Sequence, residues 1–132
     1  MALNPNAISK VLGTAGQSLT AGQSAQIVSL SNDEAQGYDV YLSKIGTGID
    51  PVSNAAYITM RLRRNVSPAV LPAMTSQIGS IGLPQSVDPP QFIGKSCSVD
   101  LYGEVSAGAP SATTLAGTLH LILVPAGEAL YV

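Results

Sequence analysis

Tryptophan is missing from the 132 residues, and phenylalanine, histidine and cysteine occur once each, as Phe92, His120 and Cys97. A single cysteine excludes a disulfide within one chain and any zinc site built on several thiolates. A single histidine leaves no His–His pair for a metal. Charge is scarce as well: Asp, Glu, Lys and Arg make up 11% of the chain, against about 25% in an ordinary soluble domain. The net charge of −2 argues against a general affinity for nucleic acid or anionic lipid, while leaving room for a local patch. No run approaches the ~18 apolar residues of a spanning helix, and Met1-Ala2-Leu3-Asn4-Pro5 lacks the basic start and apolar stretch of a signal peptide. Secretion and membrane insertion are therefore not expected, and the lone thiol fits a reducing cytoplasm. A surface this poor in charge is expected either to be largely covered by other protein or to rely on Ser, Thr, Gln and Asn for solubility, the first being favoured.

What is present reads as one all-β domain. Residues 1–24 read as an extended N-terminal arm, because Asn4, Pro5, Asn6, Gly13, Gly16 and Gly22 interrupt every periodicity; Ala7 to Leu12 allow at most one helical turn. Inside the arm Thr14-Ala15-Gly16-Gln17-Ser18 returns as Thr20-Ala21-Gly22-Gln23-Ser24, a duplication too short for a β-helix. From Ala25 onward, short β-type runs alternate with turn residues, as in a sandwich or barrel. The runs are 25–31, ended by Asn32-Asp33-Glu34; 38–45, ended by Gly46-Thr47-Gly48; 57–64; 98–105; and 114–124, ended by Pro125. In 57–64, Ile58, Met60 and Leu62 point one way and Thr59, Arg61 and Arg63 the other. In 98–105, Val99, Leu101 and Val105 point inward, and Gly103 in that row predicts a bulge or a close backbone approach. The last run is apolar on both faces apart from His120, as in a central strand covered from two sides. Asp50-Pro51 and Asp88-Pro89 read as turn starters.

Residues 65–87 contain no charge, and their prolines and glycines forbid one continuous element. Val66, Val70, Leu71, Met74, Ile78, Ile81 and Leu83 nevertheless need burial, either as further strands of the same sandwich or against a neighbouring subunit.

Catalytic sets are hard to assemble from this inventory. His120 stands among leucines without a nearby carboxylate and Cys97 without a basic neighbour, so both read as structural, and a dyad would need their strands adjacent and in register. The carboxylates are scattered, and no calcium or phosphate loop occurs. No enzyme activity, cofactor or metal is expected. Arg61, Arg63 and Arg64 form the one cluster of positive charge; they suit either a polyanion or carboxylate-bearing partner, or pairing with carboxylates on an adjacent strand.

A neutral Ser/Thr/Ala/Gly-rich chain with an N-terminal arm, short alternating strands and long apolar loops resembles the small all-β virion proteins of bacteriophages, of the jelly-roll coat, penton and decoration types. The resemblance implies a virion location after assembly in the host cytoplasm. It also implies contacts with further copies and other virion proteins through the arm and the uncharged segment. An eight-stranded jelly roll needs three strands beyond these five, from residues 14–24 and 66–95. The rival expectation is a carbohydrate- or receptor-binding sandwich that presents Tyr38, Tyr41, Tyr57 or Tyr102.

Overall fold

Alternation places every second side chain of a strand on one face. In the computed structural model, which describes residues 2–64 and 85–132, the apolar members of these runs meet in one core between two sheets. The elements are β1 (Ile8–Leu19), β2 (Ser24–Leu30), the one-turn helix α1 (Asn32–Ala35), β3 (Tyr38–Asp50), a 3-10 turn (Val52–Tyr57), β4 (Ile58–Arg64), β5 (Gln85–Lys95), β6 (Val99–Val105) and β7 (Thr113–Pro125). The first sheet has the order β1-β7-β3-β5 and the second β2-β6-β4, with neighbouring strands antiparallel. The protein is an all-β antiparallel sandwich.

The five expected runs correspond to β2, β3, β4, β6 and β7. Ile58, Met60 and Leu62 of β4 and Val99, Leu101 and Val105 of β6 are buried, facing Leu115, Leu119, Leu121 and Leu123 of β7. Gly103 marks a close approach: a Cβ there would lie 2.5 Å from Leu115 Cδ1. The reciprocal seat is Gly117, where a Cβ would meet Leu101 Cδ2. Each sheet thus sets a leucine over a glycine of the other. The bulge of this sheet lies elsewhere, between Gln26 and Val28 of β2.

Several expectations are corrected. Most of the N-terminal arm is an edge strand: residues 8–19 pair with β7, and a register shift between Thr14 and Gln17 absorbs the glycine-rich stretch. No helical turn forms at 7–12, because β7 offers a continuous ladder there. Residues ahead of β1 are tied down too. Asn4 is buried, its Nδ2 donating to Glu128 Oε1 and the Ala129 carbonyl, while Leu3 bridges to Tyr131. Gly46-Thr47-Gly48 does not end β3, which runs on to Asp50 because Thr118 to Thr114 of β7 keep pairing with it. Asn32-Asp33-Glu34 does end β2, and it does so as α1, closed by a capping box between Ser31 and Glu34. Asp50-Pro51 introduces the 3-10 turn, but Asp88-Pro89 lies inside β5; both peptide bonds are cis. An edge strand tolerates this proline pair, since residues 87–90 fall where the β3–β5 register shifts.

Candidate functional site

The outer face of the second sheet gathers the arginines. Thr59, Arg61 and Arg63 of β4 lie beside Glu104, Tyr102 and Asp100 of β6, and β2 adds Ser24, Gln26 and Ser29 on the far side. Arg63 grips Asp100 with two bonds, Nε to Oδ1 at 2.9 Å and Nη2 to Oδ2 at 2.7 Å. Gln26 Nε2 donates to the same Oδ2 at 2.7 Å, and the Asp100 side chain is only 3% exposed. The Arg63 guanidinium lies 3.8 Å over the Tyr102 ring, whose hydroxyl is hydrogen-bonded to Ser24 Oγ. These bonds from Asp100 hold the Arg63 pKa above its already high ordinary value. Arg61 Nη1 reaches Glu104 Oε1 at 3.4 Å, and Arg64 Nη1 donates to the Ile93 carbonyl of β5 at 2.9 Å. The three arginines do not converge on an open anion site: two hold carboxylates of the adjacent strand, and the third joins β4 to the edge of the first sheet.

His120 and Cys97 are not brought together. His120 sits on the outer face of the first sheet, level with Val11 and Lys44. Cys97 is buried at the core side after β5, and burial raises its thiol pKa more than nearby Arg64 lowers it. Such a thiol stays protonated and is a poor nucleophile. Among the described residues no three His, Cys, Asp or Glu side chains cluster as metal ligands, and no helix is long and apolar enough to cross a membrane. An open depression of about 150 Å³ lies along Gly46, Gly48, Ala116 and Thr118. That is smaller than the roughly 300–1,000 Å³ of small-molecule pockets.

The tyrosines also separate. Tyr102 belongs to the second sheet's outer face, Tyr57 stands exposed at the entry to β4, Tyr38 packs against the core, and Tyr41 faces outward from the first sheet. No protein-family model matches the chain, and no curated protein matches it.

Two sets of residues remain. Val66, Val70, Leu71, Met74, Ile78, Ile81 and Leu83, expected at a subunit interface, lie outside the described residues. The other set escaped sequence reasoning: the outer row Ser9–Ile122–Tyr41–Phe92 across β1, β7, β3 and β5, next to the row of Val11, His120 and Lys44. Val11 is 65% and Phe92 52% exposed, and Tyr41 meets Phe92 edge-on with ring centroids 5.5 Å apart. The expectation that β7 is covered from two sides holds at its C-terminal end, where the outward Ile122 (8% exposed) and Val124 (0%) are buried, while the outward Ala116, Thr118 and His120 are only half-buried. The sequence signals were the sole phenylalanine and the apolar Val11 within the presumed arm, but neither discloses a shared face without the register.

Proposed function

We propose that this chain is a structural virion protein, a coat, penton or decoration subunit without catalytic machinery, that assembles with copies of itself and with other virion proteins. The observation that carries the reading is the exposure of Val11 and Phe92, with half-buried Tyr41, on the outer face of the first sheet. The second sheet's outer face pairs its arginines with carboxylates, whereas the first sheet's leaves large apolar side chains in contact with water. The strand order adds support. Successive strands alternate between the sheets, giving β1-β7-β3-β5 and β2-β6-β4 among the described residues, an alternation of the kind that a jelly roll would have. Jelly rolls serve as capsid domains, though the same fold also hosts lectins, so fold alone decides nothing. The low charge of 11% favours a surface covered by protein.

The proposed contacts differ from those expected of an arm, because residues 8–19 are part of the sheet. Contact surfaces then fall to the sheet face and, on the sequence argument alone, to the uncharged segment 65–87. Light scattering and electron microscopy of the purified full chain test the reading. Closed oligomers or shells are expected. A monomer at all attainable concentrations that binds glycans would instead support the carbohydrate-binding module.

A further inference from the structure

The apolar row on the first sheet is bracketed by charge in a particular way. Along β3 the outward positions read Asp39, Tyr41 and Lys44, with Ser43 in the register shift. Asp39 and Lys44 are therefore about 13 Å apart at ~3.3 Å per residue, on either side of the Tyr41–Ile122 level. Neither makes an ion pair among the described residues; Asp39 takes only a 3.4 Å hydrogen bond from the Gly127 N–H. Along β3 the face thus offers Asp39 at one end, with Lys95 of β5 beside it, Tyr41 in the middle and Lys44 at the other end, and such an order along one strand is complementary to itself when turned end for end.

We propose that this face pairs with the same face of a second copy, about a two-fold axis that lies between the sheets and crosses the strands at the Tyr41–Ile122 level. Turned this way, each strand runs antiparallel over its own counterpart. Tyr41 and Phe92 lie on the same residues of the second copy, flanking the already buried Ile122, and Lys44 comes opposite Asp39 of the second copy, twice by symmetry. Lys95, the ladder neighbour of Asp39, then meets the uncharged level of Ser86. The aromatic centre supplies the burial, and the two charge pairs fix the register and exclude other alignments. A shift along β3 that set Asp39 over Asp50 would place like charges together, since Asp50 faces outward at the far end of the strand.

The inference rests on the assembly reading only in requiring that the chain associate with itself. Sedimentation velocity on the full chain tests it with three variants: Lys44→Asp, Asp39→Lys and Phe92→Ser. The wild type is expected to dimerise or to form larger assemblies built on dimers. Lys44→Asp and Asp39→Lys, each alone, should weaken association by about tenfold or more, and an equimolar mixture of these two variants should restore it, because both contacts again join opposite charges. Phe92→Ser, at an exposed position, should weaken association while circular dichroism reports an unchanged fold, and it stands as the test should either charge variant fail to fold. Wild-type assembly that no variant disturbs, or a mixture that stays as weak as its components, overturns the proposed pairing and leaves the assembly reading intact. A wild type that remains monomeric overturns both.

Discussion

On the outer side of the second sheet, Arg61 and Arg63 are matched by Glu104 and Asp100 on the neighbouring strand. On the outer side of the first, Asp39, Lys44, Asp50 and Lys95 hold no ion pair among the described residues, and Val11 and Phe92 stand exposed on the same face. Both faces rest on the same core and the same antiparallel pairing. The difference lies in how charge is neutralised: by pairing across strands on one side, and by no ion pair among the described residues on the other. The arginines, the most conspicuous polar cluster in the sequence, therefore mark the face that is already satisfied.

Substitutions can break or sharpen this contrast. The largest effect is expected from Asp100→Ala, which leaves Arg63 largely buried with neither carboxylate oxygen. Urea unfolding should show a loss of about 3 kcal/mol, the range for removing one partner of a buried pair. A loss below about 1 kcal/mol would mean that the second face is no more locked than an ordinary surface. Gly117→Ala probes the spacing that both faces share. Pushing a methyl into Leu101 is expected to cost about 2 kcal/mol, read as a lowered denaturation midpoint with an unchanged slope. Glu104→Ala removes the more exposed ion pair and should cost less than about 1 kcal/mol, separating the buried grip of Asp100 from its solvated neighbour.

The smallest effects concern pH. Glu34 is held below its ordinary value of 4.5, first by the Ser31 backbone N–H and then by the Ser31 hydroxyl, with Lys10 3.7 Å away. A depressed carboxylate adds stability above its unfolded pKa and loses it as pH falls through the folded one. Glu34→Gln should therefore flatten a shallow part of the stability profile below about pH 4.5 and leave neutral pH nearly unchanged. For Cys97 the sign reverses. Its raised pKa means that stability is whole below 9.0 and declines as pH climbs above it. Cys97→Ala should remove that alkaline decline, while costing some packing at every pH.

Much of the fold was legible because five strands announce themselves by alternation, and the rows Ile58–Met60–Leu62 and Val99–Leu101–Val105 needed only a period of two. The edge strands were not. In β1, glycines break the alternation at a bulge, and in β5 two prolines sit where pairing with β3 lapses; edge positions relax the local rules by which strands are recognised. The pairing of Arg61 and Arg63 with adjacent-strand carboxylates was one of two readings that the sequence allowed, and only the register of β4 against β6 chooses between them. The apolar face of the first sheet was illegible for the same reason. Val11, Tyr41, Phe92 and Ile122 come from four separate strands and acquire meaning together only after pairing.

The paired leucine-over-glycine seats add a mechanical consequence. Because Leu101 fills the hollow at Gly117 and Leu115 the hollow at Gly103, sliding one sheet past the other by a single residue pair would drive a leucine out of its socket against solid backbone. The two layers are keyed like cog and notch, so a force applied along either outer face is carried across the sandwich as a rigid push instead of being lost to shear.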